Sequence, residues 1–354
     1  MKELNLEEKI GQLFLIGIPN KASIPNVLNL IKNNHVSGVI LYKNNYGTYQ
    51  EMVSLVKKLK RANKNNKVPL FISIDQEGGR VNRFPRGFEP ILNPYSFRNA
   101  SDTVIKKRIK IISKLLNSTG INMNFDPVLD LKLMEDNHYI GKRAYSDNPD
   151  EVSRLTTLAI NEYIKNNIIP VAKHFPGQGG LKADSHRTLP VIRDYTKHVK
   201  KELKPFVNAI KNDIPGIMVG HIKILNKTNN KPASISKNFI NKEIRGRLKY
   251  NNLIIPDELS MRSVRYRYGR KRTILIGLKA GLDLIPIKYY PGIEKIFPIV
   301  KKQILNNKIN VDNQVENVLR IKEQYKINDN IKFKTLNRLA INKEIKELNK
   351  KAIN

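Results

Sequence analysis

The amino-acid sequence predicts a single (β/α)8 TIM-type barrel with a basic helical C-terminal extension. Three observations carry this. Eight short apolar runs recur along the chain, amphipathic stretches of helical length separate them, and acids, histidines and glycines stand just past several of the runs. A parallel barrel puts its functional loops at those strand ends. The 354 residues accommodate one barrel and an extension. The expected strands are 13–18, 38–42, 70–74, 122–125, 169–172, 217–219, 253–255 and 282–285. Several are nearly unbroken Ile, Val or Leu, which suits strands covered on both faces. The expected helices are 24–33, 47–62, 101–118, 149–166, 196–212 and 236–248. A doubly wound open sheet gives no reason for a strand count of eight. No repeat and no Pro/Gly/Ser-rich linker divides the chain. The barrel is therefore expected over 1–330, with a basic helical tail over 331–354 that either packs on it or extends from it.

Composition excludes several chemistries. With no cysteine there is no disulfide framework, Cys-ligated zinc, iron–sulfur cluster or thiol nucleophile. No stretch approaches 18 apolar residues, so no membrane insertion is expected. The opening MKELNLEEKIGQLFLIGIPN puts acids before its apolar run and lacks a basic leader, so a cytoplasmic protein is expected. The net charge of +33 invites a nucleic-acid or anionic-membrane reading. The 42 asparagines and the scatter of lysines through every segment favour compositional drift, and no nucleic-acid partner is expected. The densest basic cluster, RSVRYRYGRKR over 262–272 with Tyr266 and Tyr268 interleaved, reads as a nucleic-acid patch or, as expected here, a solvated loop.

Polar residues gather at the strand ends. The third strand leaves through Asp75, Gly78, Gly79 and Arg80. An acid leaving a buried strand needs a partner or ligand, so Asp75 is either bridged to Arg80 or Arg143 or held for a ligand. The paired glycines permit a tight turn or close approach of a ligand. The fifth strand ends in Lys173 and His174, and a loop through Gly177, Gly179 and Gly180 leads to Asp184, Ser185 and His186. An Asp two residues before a His can orient the imidazole and leave its second nitrogen for proton transfer. His221 ends the sixth strand, and Asp257 and Glu258 end the seventh. Side chains alternate faces along a strand, so one of these two acids is expected to point inward, and Asp257 is the choice. The bland alternatives are an inter-strand salt bridge for Asp257 and a surface acid for Glu258.

The runs GVILYKNN, IDQEGGRVNRF, GINMNFDPVLDL, IGKRAYSDNP, VAKHFPGQGG, DSHRTLP, PASISKNFI and PDELSM occur in this order. In this the chain resembles glycoside hydrolase family 3, in its single-barrel bacterial β-N-acetylglucosaminidase branch, over about residues 5 to 290. The resemblance implies a retaining exo-acting hydrolase of terminal β-linked N-acetylglucosamine. Asp257 falls on the nucleophile, and His186 paired with Asp184 on the acid/base. Asp75, Arg143, Lys173 and His174 fall on sugar-binding positions, with His221 bordering the site. No metal or cofactor is implied. The substrate expected is a small carbohydrate or muropeptide, and the chain is expected to be a monomer. Departures stand at Gln178, Gly180 and Leu181, where a His, an acid and a Thr are common, and at Pro256 and Glu258. The altered 178–181 segment keeps open a barrel that binds sugar without turnover. Phosphorolysis of the same glycosides is a further alternative, because a His acid/base does not repel an incoming phosphate and the basic surroundings attract one.

Overall fold

The computed structural model describes residues 3–182, 189–330, 333 and 335–353. Eight strands, β1 (Phe14–Gly17), β2 (Gly38–Leu41), β3 (Phe71–Ile74), β4 (Met123–Asn124), β5 (Ile169–Phe175), β6 (Gly216–Val219), β7 (Leu253–Pro256) and β8 (Ile285–Lys288), form one sheet. Every pairing is parallel, in the order β8-β1-β2-β3-β4-β5-β6-β7. The last two strands approach at the seam, where Asp283 N–H donates to the Ile254 carbonyl at 2.9 Å and Leu259 N–H to the Pro286 carbonyl at 3.2 Å. The expected barrel is what the chain forms.

Period-2 alternation explains why both faces are apolar. Leu15, Ile40, Phe71, Met123, Ile169, Val171, Met218, Leu253 and Ile255 form the cluster inside the barrel. Their neighbours Ile16, Val39, Ile72, Ala172, Ile217 and Ile254 join the larger cluster beneath the helices. Strand bounds differ most from expectation at two places. The eighth strand begins three residues late, at Ile285, and before it the Asp283 carboxylate joins the seam by accepting from Ile254 N–H at 2.6 Å and from Arg245 at 2.7 Å. The fifth runs on to Phe175.

Helices depart from expectation for local reasons. The stretch 196–212 splits into Tyr195–Lys201 and Lys204–Lys211, with Pro205 in the first turn of the second. Proline there lacks an N–H that the first turn leaves unpaired anyway. The stretch 236–248 winds mostly as a π-helix over Ile240–Arg247. The basic cluster is helical, not a loop, over Arg262–Tyr268 and Arg270–Ala280.

The floor of the barrel is closed by helix Asp312–Gln324, which inserts Val318 and Ile321, and by Tyr325 just beyond it. Lys322 lies among them, 3% exposed, and donates to Gln12 Oε1 at 2.8 Å and to the Ser37 and Pro69 carbonyls at 2.9 and 2.7 Å. Burial holds its amine well below the ordinary lysine value. Lys322→Met leaves three acceptors without a donor in a dry place, and is expected to cost about 2–4 kcal/mol. A urea midpoint that fails to fall contradicts this role.

The terminal helix Arg338–Ile353 packs on helix Asp102–Ser118 through Ile341, Ile345 and Leu348. Two of its asparagines clasp the loop after β3. Asn342 accepts from Glu89 N–H at 2.9 Å and donates to the Gly87 carbonyl at 2.8 Å. Asn349 accepts from Leu92 N–H at 3.2 Å and donates to the Pro90 carbonyl at 2.9 Å. Among the described residues no helix is long and apolar enough to cross a membrane.

Candidate active site

A cavity of about 820 Å³ opens at the C-terminal ends of the strands. Its floor is the upper layer of the barrel interior, Ile40, Phe125 and Met218. Five of the sequence-predicted residues, Asp75, Arg143, Lys173, His174 and Asp257, line it together.

A buried charge cluster organises one wall. Lys173 Nζ stands 2.7 Å from Asp75 Oδ1 and 2.6 Å from Glu77 Oε1. Arg143 grips both oxygens of Glu77 at 2.8 Å in a bidentate pair. Asp75 is thus bridged to Lys173, not to either arginine that the sequence suggested. Burial works against the charge on Glu77, but Arg143 and Lys173 outweigh it and hold the carboxyl far below its usual range. Burial likewise opposes the Lys173 charge, and Asp75 and Glu77 reverse the balance and raise its pKa. Two acids and two cations so fix one another, with Asp75 facing the cavity.

Glu77 was missed in the sequence, although it stands in the quoted IDQEGGRV. Behind it Arg108, fully buried, donates to the Glu77 carbonyl and to Tyr145 Oη, the latter at 2.8 Å. The glycines that follow serve the turn. Gly78 and Gly79 have φ of +90° and +57°, and a Cβ on Gly78 would stand 2.6 Å from the Leu92 carbonyl oxygen. The close approach is to the protein's own loop.

His174 is held by Asp130, which the sequence reading also missed. Asp130 Oδ2 lies 2.7 Å from His174 Nδ1 and accepts its backbone N–H at 3.1 Å, while Oδ1 accepts from Gln178 N–H at 2.8 Å. The carboxylate acceptor puts the proton on Nδ1, leaving Nε2 to accept from Tyr139 Oη at 3.2 Å.

At the end of β7, Asp257 and Glu258 both line the cavity, contrary to the expectation that only one faces inward. The strand ends at Pro256, so strict alternation no longer applies. Asp257 is half-buried and pinned by its N–H to the Val219 carbonyl at 2.8 Å. Glu258 Oε1 accepts from Ser260 N–H at 2.9 Å and Lys288 N–H at 3.1 Å, tying its own turn to β8. Burial, followed by Glu258, Asp75 and Asp257, pushes the Tyr42 phenol well above its ordinary value, so it stays protonated in the cavity wall.

His221, expected to bind substrate, is fully buried and is not among the cavity-lining residues. Its Nδ1 meets Ser234 Oγ at 2.7 Å and its Nε2 the Glu258 carbonyl at 3.1 Å, so it reaches the site through the backbone after Asp257. His186 and Asp184 lie outside the described residues. Lys182, the last described residue before them, lines the cavity, and the Lys223 N–H holds the Pro190 carbonyl at 2.8 Å after them.

The glycine loop leading to Lys182 rests on Glu202, whose Oε1 accepts from Gly180 N–H at 3.2 Å and lies 3.4 Å from His198 Nδ1. His198 Nε2 is 3.0 Å from the Pro176 carbonyl and donates to it, leaving Nδ1 as acceptor for a protonated Glu202. Burial pushes the Glu202 carboxyl up to about 7. An unfolded glutamate releases its proton near 4.5, whereas the folded one keeps it to about 7, so stability falls as pH rises between these values. Glu202→Gln is expected to remove about 2–3 kcal/mol of this loss. The comparison is of urea midpoints at pH 5 and pH 8, and equal pH slopes in both proteins count against it.

Known proteins resemble this arrangement over most of the chain. The glycosyl hydrolase family 3 N terminal domain profile matches residues 5–321. A protein named Beta-hexosaminidase from Idiomarina loihiensis is 31% identical over 256 residues, 71% of this chain and 76% of its own. Another of that name from Methylobacillus flagellatus is 32% identical over 263 residues, 72% of this chain and 74% of its own. The structure of a glycoside hydrolase family 3 beta-N-acetylglucosaminidase from Paenibacillus superposes with a TM-score of 0.92 at 27% identity, covering 99% of this chain and 69% of that one. The matched stretch takes in all eight strands and every acid of the cavity wall, so the chain belongs to glycosyl hydrolase family 3 and is a glycoside hydrolase.

Proposed function

We propose that the chain is a retaining exo-β-N-acetylglucosaminidase, acting on terminal β-linked N-acetylglucosamine of chito-oligosaccharides or cell-wall-derived muropeptides. One observation carries the reading, the convergence of Asp257 with Asp75, Lys173, Arg143 and His174 on one cavity at the strand ends. Asp75 and Glu77 hold buried cations, Glu258 ties its own turn, and Asp257, half-buried at the end of β7, accepts the Glu258 N–H at Oδ1 at 2.8 Å. The two relatives named Beta-hexosaminidase and the Paenibacillus enzyme support the substrate class.

In this reading Asp257 attacks the anomeric carbon as the glycosidic C–O bond breaks, and His186, oriented by Asp184, gives its proton to the departing oxygen. The neutral His186 then takes a proton from water, whose oxygen displaces Asp257 and releases the sugar with its original anomeric configuration. Asp75, Lys173, Arg143 and His174 hold the sugar hydroxyl groups. Incubation with an aryl β-N-acetylglucosaminide tests the reading. Release of the aryl alcohol, with a glycosyl adduct on the Asp257 peptide when a slow substrate is used, is expected. An adduct on any other residue overturns the assignment.

Phosphorolysis remains as a second reading, because Arg80, Arg83, Lys182 and Lys288 line the same cavity and suit an incoming phosphate. Sugar 1-phosphate formed in phosphate buffer would replace hydrolysis in the proposal.

A further inference from the structure

The chain is rich in lysine, 45 against 19 arginines, yet residues 262–272 hold five arginines and one lysine. Compositional drift explains scattered lysines and does not explain this local inversion. Arginine differs from lysine in its planar fork, which meets phosphate oxygens two at a time and lies flat on aromatic rings.

The geometry makes the cluster a prepared surface. Arg262 and Arg265 lie 4.9 and 5.5 Å from the centre of the Tyr266 ring, Arg267 lies 5.8 Å from that of Tyr268, and Arg270 lies 4.5 Å from that of Tyr290. These stacks hold the guanidinium groups without neutralising them. No Asp or Glu occurs between Glu258 and Asp283, and among the described residues none of the six cations is ion-paired. Tyr266 is 70% exposed. The place is also specific. Met261 lines the active-site cavity and Arg262 is the next residue, while Tyr290 is the second residue past β8. The patch therefore adjoins the mouth of the barrel, between the exits of β7 and β8.

We propose that this arginine–tyrosine surface is an exosite for the aglycone, and that it fits a substrate whose β-linked amino sugar is carried on a phosphodiester-linked glycan. The proposal rests on the glycosidase reading above and extends it to the rest of the substrate. One carboxylate would engage one or two of these groups. Six unneutralised cations spread over two successive helices match a repeating anion.

The test compares two substrates, neutral N,N′-diacetylchitobiose and a synthetic phosphodiester oligomer bearing a terminal β-N-acetylglucosaminide, in the wild type and in an Arg262→Gln, Arg267→Gln, Arg270→Gln triple variant. The variant is expected to lose about tenfold in kcat/KM on the phosphodiester substrate, with a salt dependence shallower by about two in log–log slope. Its kcat/KM on the neutral disaccharide should stay within about twofold, which also reports that the variant folds. Equal losses on both substrates, or no loss on either, overturn the exosite alone. Failure of the wild type to cleave the neutral disaccharide overturns the glycosidase reading and the exosite with it. An oligodeoxynucleotide with the same number of phosphates that competes as strongly as the sugar-free phosphodiester glycan marks a general polyanion surface and overturns the glycan assignment.

Discussion

Asp257→Asn is expected to lower kcat on an aryl β-N-acetylglucosaminide by about four orders of magnitude, some 5–6 kcal/mol of barrel-held transition-state stabilisation. The asparagine keeps the shape of the side chain, and the backbone bond from residue 257 to the Val219 carbonyl is untouched. What is lost is the negative charge and the oxygen lone pair that would form the covalent bond. KM should change little, since the proposed reading gives sugar binding to Asp75, Lys173, Arg143 and His174. Glu258→Gln is the control. Its carboxylate serves Ser260 and the Lys288 N–H, so its loss should cost less than about tenfold in rate and act mainly on the turn. If the Asp257 variant keeps a tenth of wild-type turnover while the Glu258 variant loses all, the two roles are reversed.

Glu77→Gln is expected to destabilise the fold by about 3–5 kcal/mol, although the residue touches no predicted catalytic atom. Glu77 is fully buried and is the shared counter-ion of Arg143 and Lys173. Removing its charge leaves two buried cations facing Asp75 alone. Its folded pKa lies far below that of an unfolded glutamate, so its contribution is present above about pH 4.5 and is lost as pH falls below that value. The wild type should therefore lose stability on acidification more steeply than the variant. Adding Arg143→Met to Glu77→Gln should recover part of the loss, because one orphaned cation is removed with its partner. Urea midpoints for the four proteins of this cycle decide it, and strict additivity excludes the shared counter-ion.

The barrel was legible in the sequence because its strands alternate two apolar faces, and each of eight runs survived as a strand. The cavity lining was legible where a polar residue closely follows such a run, as with Asp75, Lys173, His174 and Asp257. Supporting residues were harder to read. Glu77 lies three residues beyond its strand, next to the turn at Gly78 and Gly79, and the sequence offered no partner to demand it. Asp130 follows a strand of only two residues, on a buried loop without periodicity. His221 is a different case. It was placed at the border of the site, and its ring lies inside the wall, where Ser234 and the Glu258 carbonyl meet its two nitrogens. The helices at 262–280 escaped notice because charge density masked Val264, Ile274 and Leu278, the apolar residues that seat them.

Among the described residues, helix Asp312–Gln324, with Lys322 bonded to the backbone beneath β2 and β3, closes the base of the barrel like the bottom of a well. Traffic through the mouth at the strand ends is then ordered by depth. In the reading proposed above, a sugar seated against Ile40, Phe125 and Met218 would be the first part in and the last part out, so the cleaved remainder would depart before the monosaccharide. Water for the second half of the proposed cycle would enter by the same mouth, in the interval between the two departures. The plug at the base thus sets the sequence of events at the top.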